Sequence, residues 1–412
     1  MSRRLFNRFL RWLGLLMGLY FLIAALVSLT VDPWRINNTR WAIAALDPAR
    51  EISSTVRVGK AALANRGCWQ TVILGSSRIE IGLDPAHPVF DGQRAVNLAM
   101  AAANLCETIP SGYYAIARNP DLKTVILGID PGDLHNDSDS RKFTRFYQSP
   151  FADNNRSIER GINQVIGGHS LMESIATLKR HVNGVKPGRS QLGQWLQPNH
   201  PPNLREYVES TFQMGFEPQP GQWSNPPPAL HPAKAAALAG FIKDVRHRGI
   251  ALLIVVPPLH GLKQIHPSAD RPSAMAWEAD LAALAAICRQ GNEVSAPGPE
   301  VQLWSFLTFN DATTAPLPAP GADSQQLPGW FDLGHAQTGL GNRMLATIFG
   351  HDPAPVGVNL LVGDWSAHRA AWIEGHQRYC AARPADVVWW RAMVARSSHI
   401  AKVIRPAAEN AP

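Results

Sequence analysis

Two short motifs contain residues that can form a serine hydrolase triad. Gly-Ser-Ser-Arg at 75–78 follows a short apolar run, and Asp-Leu-Gly-His at 332–335 lies far downstream, just before a helical pattern. A serine at the C-terminal tip of a buried strand reaches the rim of the sheet, where open α/β sheets bind ligands. An aspartate and a histidine three positions apart in one loop can hydrogen-bond, and the carboxylate then fixes the tautomer of the imidazole. The motifs therefore predict Ser77 as nucleophile, His335 as general base and then acid, and Asp332 as the residue that orients His335.

Both motifs also have structural explanations, which the sequence leaves open. A serine at a strand-to-helix turn is a favoured helix N-cap, and an aspartate and a histidine in a surface loop are common. The G-x-S spacing selects Ser77 over Ser76, and Ile79 stands where the G-x-S-x-G elbow of α/β-hydrolases has its second glycine. Metal catalysis on Asp332 and His335 would need more ligands, and no other histidine shows a ligand-like spacing. Because a serine triad needs no cofactor, we predict neither a metal nor a cofactor.

Short apolar runs and helical patterns alternate along the chain. Val, Ile and Leu dominate the runs, as in strands that are covered on both faces of a sheet. The predicted strands are 71–74, 95–98, 123–129, 250–256 and 301–306, and the predicted helices are 105–118, 232–248 and 273–289. This alternation predicts an α/β fold in which a doubly wound parallel sheet forms the middle of three layers.

One large domain accounts for most of the chain. We expect it over residues 32–350, which is long for such a sheet, and the excess lies at about 133–231. That segment is predicted to be a helical insertion, placed as a cap or at the side of the site. Residues 351–412 form a tryptophan-rich tail. Among the tryptophans, Trp330 is expected near the site because it lies two positions before the Asp-His motif.

The N-terminus contains a predicted membrane anchor. Residues 12–31 are an uncharged apolar run, long enough to cross a hydrocarbon core of about 30 Å as a helix. Four arginines precede the run, whereas only Arg35 and Arg40 follow closely and Asp32 partly offsets them. The positive-inside rule then puts the N-terminus of a single-pass protein in the cytoplasm and its main domain on the other side of the membrane. For the bacterial proteins that its two motifs resemble, these are the inner membrane and the periplasm. A cleaved signal peptide is the alternative, but the run is longer than a usual h-region and no clean Ala-x-Ala follows it.

The net charge of +7 does not indicate nucleic acid as a partner. Of the 39 basic residues, four precede the apolar run, which leaves 35 against 32 acidic residues in the rest of the chain. No stripe rich in lysine and arginine is present, and nucleic-acid binding is therefore not predicted. The four cysteines are too scattered for a metal knuckle or a redox pair. Periplasmic disulfides and buried free thiols both remain open.

The two motifs together resemble the SGNH (GDSL-like) hydrolase superfamily, which has its nucleophile in a G-x-S block and an Asp-x-x-His block near the end of the domain. The Gly-Ser-Ser-Arg wording is similar to that of single-span, membrane-anchored members associated with bacterial polysaccharide O-acylation. The resemblance covers about residues 32–349. It implies an SGNH or flavodoxin-like fold and a serine-dependent O-acyl transferase or esterase. The implied acyl group is acetyl, the implied substrate is a cell-surface or exported polysaccharide, and the implied partner is a multi-span membrane acyltransferase.

The other two blocks of that superfamily are altered here. The second block supplies a backbone amide to the oxyanion hole, and the matching region is 96–101, so Ala99 is the expected donor; Asn97 or Arg78 is the expected substitute for the side-chain donor of the third block. The third block is normally G-x-N-D, with the asparagine as donor, but reads Gly-Ile-Asp-Pro at 128–131. Asp130 therefore stands where the asparagine would be. Because loss of one oxyanion donor costs about 3 to 4 kcal/mol, this departure bears directly on activity.

Two further residues are expected at the edge of the site. Arg78 can hold an anionic substrate group or pair with Glu80 or Asp130, and pairing is favoured. His260 follows the strand at 250–256 and can contact substrate, although a histidine satisfied within its loop is favoured. Two alternatives to an enzyme remain: a catalytically degenerate scaffold or glycan-binding protein in a polysaccharide-modification complex, and a membrane-assembly factor that acts through its span and tail.

Overall fold

The computed structural model describes residues 3–37, 39–52, 55–135, 137–152, 157–196, 203–213, 229–265, 277–319, 322 and 327–396. Within these residues the chain is an α/β protein with one six-stranded sheet. Its strands are β1 (Thr71–Leu74), β2 (Ala95–Asn97), β3 (Thr124–Gly128), β4 (Ala251–Val256), β5 (Gln302–Ser305) and β6 (Val358–Asn359). Its α-helices are α1 (Arg3–Val31), α2 (Val56–Asn65), α3 (Ser77–Gly82), α4 (Leu105–Arg118), α5 (Ser157–Ile166), α6 (Gly168–Val182), α7 (Leu204–Gln213), α8 (Pro232–His247), α9 (Glu278–Glu293), α10 (Thr338–Ile348), α11 (Trp365–Ala382) and α12 (Pro384–Arg396).

The sheet is mostly parallel, as predicted. Its spatial order is β2-β1-β3-β4-β5-β6; the first five strands are parallel, and β6 pairs antiparallel with β5. The order of the chain reverses between β1 and β3, and open α/β sheets bind ligands outside the carboxyl ends of the strands at such a point. The segments that follow β1 and β3 are those that carry Ser77 and Asp130. Strand β6 was not predicted, because two residues give no periodic pattern.

Apolar clusters cover both faces of the sheet. Successive side chains of a strand point to opposite faces, so Val72 and Leu74 pack with α4, α8 and α9, while Ile73 packs with α3, α10 and α12. Strands β1 to β4 therefore bury both of their faces, whereas β5 and β6 are partly exposed. This double burial is the reason why the strands are continuous apolar runs instead of alternating apolar and polar residues.

Helix boundaries follow the end signals in the sequence. Helix α4 has the predicted bounds, and the Asn104 side chain caps it by accepting a hydrogen bond from the Cys106 N–H at 3.1 Å. Helix α8 begins at Pro232 and is followed by Gly249, whose φ of +75° is left-handed and ends the helix. Helix α9 begins at Glu278; the predicted start at residue 273 lies outside the described residues.

The predicted insertion contains three described helices, α5, α6 and α7. Helices α5 and α6 contact α1, which is the one helix of the described residues that is long and apolar enough to cross a membrane. Helix α7 lies beside α12, where Arg205 pairs with Asp386 at 2.8 Å. The ring of Tyr207 on α7 lies 6.1 Å from the ring of Phe331, in the loop of the Asp-His motif. Of these three helices only α7 approaches the site, whereas Arg189 and Gln194, later in the insertion, contact α3.

The described residues after 350, which end at Arg396, belong to the same cores as the rest of the domain. Strand β6 extends the sheet, and helices α11 and α12 pack against it. Trp372 is buried in the cluster on one face and Trp390 in the cluster on the other. The four cysteines, all within described residues, are free thiols.

Candidate active site

Ser77 lies in the first turn of α3, immediately after the end of β1. Gly75 makes the turn with a φ of +152°, and a Cβ at this position would lie 2.7 Å from Cγ1 of Ile79. A larger residue does not fit there. Ser76 caps the helix, since its Oγ accepts a hydrogen bond from the Arg78 N–H at 3.3 Å. Ser77 is half-buried and therefore reachable from the rim of the sheet.

The structure brings the three predicted catalytic residues together. The Oγ of Ser77 lies 2.9 Å from Nε2 of His335. The Nδ1 of His335 lies 2.9 Å from Oδ2 and 3.0 Å from Oδ1 of Asp332. With the Nδ1 proton directed at Asp332, Nε2 is the nitrogen that can accept the proton of Ser77. This is the geometry of an activated serine, and the two motifs reach it from opposite ends of the domain.

A compact loop holds Asp332 and His335 in place. A β-bridge between Trp330 and Ala336 closes the loop on itself. Trp330 is fully buried, and its Nε1 donates a hydrogen bond to the carbonyl oxygen of Ala312 at 2.9 Å. Trp330 is thus near the site, as predicted, but it braces the loop and does not offer an open ring face to a sugar.

Asp332 is kept ionised by its surroundings. Burial alone would raise the pKa of its carboxyl group, but the charge and hydrogen bond of His335 and the charge of Lys263 outweigh burial and hold the pKa far below its usual range. Its Oδ1 also accepts hydrogen bonds from the backbone N–H groups of Gly334, at 2.6 Å, and of His335, at 2.8 Å. These bonds fix the carboxylate toward the imidazole.

Asp130 lies next to the turn between β1 and α3, where its carboxylate has two partners. Its Oδ1 accepts a hydrogen bond from Oγ of Ser76 at 2.9 Å and lies 3.7 Å from Nη1 of Arg78. The predicted pairing of Arg78 is therefore observed with Asp130, whereas Glu80 points elsewhere. The guanidinium offsets part of the negative charge that would oppose an oxyanion.

Asn97 and Ala99 do not offer the oxyanion donors expected of them. The Asn97 side chain is buried, and its Nδ2 donates to the carbonyl oxygens of Ile79, at 3.2 Å, and Leu83, at 2.9 Å. Its Oδ1 accepts the N–H of Ala99 at 3.0 Å, so that amide is already used. These polar groups must be paired inside the protein because they are out of reach of water. The side chain of Asn97 therefore connects α3 to the loop that follows β2.

Further along, the loop after β2 approaches the nucleophile turn. The N–H of Met100 donates to the carbonyl oxygen of Gly75 at 2.9 Å. Ala102 is exposed and has a φ of +58°, a left-handed conformation that is uncommon for residues other than glycine. The loop therefore reaches the surface two to three positions beyond Ala99.

His260 is fully buried and does not face the site. Its Nε2 lies 2.8 Å from the carbonyl oxygen of Ala315, and its backbone N–H donates to the carbonyl oxygen of Leu333 at 3.0 Å. Burial lowers the pKa of His260 to about 4. The substrate-contact prediction thus gives way to the favoured alternative, a histidine satisfied within its loop. His260 connects the segment after β4 to the loop of the Asp-His motif.

A buried charge network behind α3 has no obvious sequence signal. Lys60 on α2, Glu80 on α3 and Arg189 in the insertion are all buried. The Oε1 of Glu80 lies 3.2 Å from Nζ of Lys60 and 2.7 Å from Nε of Arg189. Burial lowers the pKa of Lys60 to about 8 in spite of the nearby carboxylate. The network ties the helix that carries Ser77 to two other segments of the chain.

Comparisons with protein-family models, with curated proteins and with solved structures found no match for this chain.

Proposed function

We propose that this chain is a membrane-anchored serine esterase or O-acyltransferase with an SGNH-like fold. The observation that carries the proposal is the pair of contacts made by one imidazole, to Oγ of Ser77 at 2.9 Å and to the carboxylate of Asp332 at 2.9 Å. The two structural explanations do not account for this arrangement. A serine that only caps a helix needs no histidine beside it, and an aspartate and a histidine that only pair in a surface loop need no serine. The coincidence of the three side chains therefore favours catalysis.

The proposed reaction proceeds through an acyl-enzyme. Oγ of Ser77 attacks the ester carbonyl while Nε2 of His335 takes its proton. The tetrahedral intermediate collapses when the same nitrogen gives the proton to the leaving alcohol, and the acyl group remains on Ser77. His335 then removes a proton from water or from an acceptor hydroxyl, which attacks the acyl-enzyme and releases the serine. Asp332 stays ionised and stabilises the imidazolium that forms in both steps.

The oxyanion of the intermediate needs donors other than Asn97 and Ala99. The N–H of Ser77 is available by position, because the first amides of a helix have no intrahelical acceptor. We assign the second donor to the exposed part of the loop after β2, around Ala102. Two backbone donors without a side-chain amide can support catalysis, and the missing third donor implies a rate lower by about 100- to 1000-fold than a complete hole would give.

The proposed location and substrate follow from the span and the resemblance. Helix α1 would anchor the chain in a bacterial inner membrane, with its arginine-rich N-terminus in the cytoplasm and the α/β domain in the periplasm. The substrate would be an acyl ester, with acetyl expected, on a cell-surface or exported polysaccharide. A multi-span membrane acyltransferase would supply the acyl group. Transfer and hydrolysis share the triad and differ in the acceptor that reaches the acyl-enzyme.

The experiment measures ester turnover by the full-length protein in detergent, with 4-nitrophenyl acetate as the substrate. Turnover is expected in the wild type and should fall to the uncatalysed background in Ser77→Ala. Ser76→Ala is the matched neighbour control: it loses the helix cap but keeps the nucleophile, so part of the turnover should remain. Added oligosaccharide acceptors that collect acetyl groups would identify a transferase. Equal turnover in Ser77→Ala and wild type would reject the proposal and favour the scaffold alternative.

A further inference from the structure

Helices α5 and α6 form a hairpin against the last part of α1. Both helices contact α1. The buried residues of α1 are Ala24, Ser28 and Val31, all in its final turns, while its preceding turns are exposed. Eight residues of helix rise about 12 Å, and a hydrocarbon core is about 30 Å thick. If α1 spans the membrane, the hairpin therefore contacts a part of it that lies within lipid.

Helix α6 has the opposite polarity to that of a helix in a water-soluble domain. Its buried face carries small polar residues, Ser170, Ser174 and Thr177. Their spacing of four and three positions places them on one side of the helix. Two of these hydroxyls are satisfied within the helix: Oγ of Ser174 donates to the carbonyl oxygen of Ser170 at 2.8 Å, and Oγ1 of Thr177 donates to that of Glu173 at 2.9 Å. Small residues at a helix–helix contact are typical of helices that pack within membranes.

The other side of the hairpin is apolar and exposed. We call this surface the hairpin face, and its residues are Ile158 and Ile162 on α5 and Met172, Ile175, Leu178 and Val182 on α6. Ile158 is 78% exposed and Val182 is 81% exposed. A water-soluble helix places such residues toward the core, whereas a large exposed apolar patch marks a protein or membrane contact.

Several polar groups of the hairpin are turned away from the hairpin face. Glu173 is buried and pairs with Arg180, whose Nη2 lies 2.6 Å from its Oε1. Polar residues of α5, including Asn163 and Gln164, line a cavity of about 320 Å³ together with Trp34, which follows α1. These polar groups face the domain, whereas the apolar residues of the hairpin face point outward with Lys179 among them.

Residues suited to a membrane interface lie at the end of α1. The N–H of Ile43 donates to the carbonyl oxygen of Thr30 at 2.9 Å, which holds the following segment against the end of the helix. In that segment Trp41 is 68% exposed, and tryptophan is enriched at membrane–water interfaces. Lys179, which is exposed between Ile175 and Val182 on α6, can extend its ammonium group to lipid headgroups while its stem stays in apolar surroundings.

We propose that the hairpin face enters the outer half of the bilayer beside α1, so that the protein holds the membrane with three helices instead of one. The surface that the hairpin face shares with α1 favours lipid over another protein as the occupant. The hairpin face continues the exposed apolar surface of α1, which has to meet lipid if α1 is a span. The proposal rests on α1 as a membrane span and does not depend on the chemistry of Ser77.

The test measures how deep spin labels lie in a bilayer. The full-length chain, with its four cysteines replaced by alanine, receives one new cysteine, Ile175→Cys or Val182→Cys, and a nitroxide label. Each protein is placed in phospholipid nanodiscs at one copy per disc. Collision rates of the label are then measured with oxygen, which concentrates in lipid, and with a water-soluble nickel chelate. Leu22→Cys on α1 is the lipid control, and Val388→Cys on α12, which is 66% exposed, is the water control.

The hairpin labels should behave as the Leu22→Cys label does, with a ratio of oxygen to nickel collisions several-fold above that of the Val388→Cys label. A ratio equal to that of Val388→Cys would place the hairpin face in water and overturn the proposal. Poor access of both reagents would mean that protein covers the face, which also overturns it. Because all labelled positions are exposed, folding should be retained, and an unchanged circular dichroism spectrum checks this. An esterase assay on the same samples separates failure of this proposal from failure of the proposed activity.

Discussion

Gly341 on α10 packs directly against the carbonyl group of Gly82 at the end of α3. A Cβ at position 341 would overlap the carbonyl oxygen of Gly82. The two helices follow the two halves of the triad, since α3 begins with Ser77 and α10 follows His335 after a short turn. Their close approach therefore sets the separation of Ser77 and His335.

Gly341→Ala should weaken catalysis more than it weakens folding. The added methyl group forces α3 and α10 apart, which lengthens the contact between Ser77 and His335, and a misplacement of about 1 Å can cost about 100-fold in rate. Overpacking of this kind should also destabilise the fold by about 1 to 3 kcal/mol. Gly339→Ala is the matched control on the same helix, because nothing lies within 4 Å of a Cβ there. Equal esterase rates in the two variants would contradict the role assigned to this contact.

Asp332→Asn should remove most of the activity and leave the loop folded. An asparagine can still accept the backbone hydrogen bonds of Gly334 and His335, but it cannot hold the imidazole in the tautomer that leaves Nε2 free. We expect the rate of ester turnover to fall by about 10³- to 10⁴-fold. Asp311→Asn, in an exposed loop, is the control and should keep the wild-type rate. A loss of less than about tenfold in Asp332→Asn would show that the carboxylate does not orient the base.

Arg78 should support the esterase activity by compensating the charge of the Asp130 carboxylate. In the wild type, Arg78→Met leaves the carboxylate of Asp130 uncompensated beside the position of the oxyanion, and the esterase rate should fall. In Asp130→Asn, the amide can still accept the bond from Ser76, and the same Arg78→Met change should have little effect. The double-mutant cycle measures this coupling. Additive losses would instead mean that Arg78 acts on the substrate independently of Asp130.

His260 should make the protein sensitive to acid. Its pKa is about 4 in the fold, against about 6.5 in an unfolded chain. Between these values the unfolded chain binds a proton that the folded chain does not, so stability falls as pH falls from 6.5 toward 4, by about 3 kcal/mol at the lower end. His260→Gln, which can keep the bond to Ala315, should lose less unfolding free energy between pH 7 and pH 4.5. The control is His247→Gln, which is exposed and should follow the wild type; urea unfolding at both pH values makes the comparison, and parallel curves for all three proteins would contradict it.

The fold was predictable where local pattern determines structure. The buried runs gave all five parallel strands, and the end signals of α4 gave its bounds, because capping and double burial are local or nearly local effects. Strand β6 is too short to carry a pattern. A helical insertion was predicted at about 133–231, but the orientation of α5 and α6 was not, since their polar face is inside and their apolar face is outside, contrary to the usual rule for helices in water.

The contact of Ser77 with His335 and of His335 with Asp332 was predictable, because residues of these types at this spacing are chemically restrictive. Their supporting residues were not. Asn97 has the side chain of an oxyanion donor, but its amide satisfies backbone carbonyls that only the folded structure brings to it. Glu80 pairs with Lys60 and Arg189, which come from distant segments of the chain. Pairing at such a range depends on tertiary packing. The spacing of the two motifs is visible in the sequence, whereas the roles of the surrounding residues depend on hydrogen-bond partners that only the folded structure supplies.

The most direct test of the account is to treat the folded full-length protein with a fluorophosphonate probe and locate the adduct by peptide mass spectrometry. The account predicts one adduct on Ser77 that is lost in His335→Ala, because the serine is nucleophilic only when the imidazole takes its proton. The Ser76→Ala protein should still be labelled at Ser77. An unlabelled wild-type protein that is folded, or a Ser77 adduct that forms equally fast in His335→Ala, would contradict the proposal of an activated serine.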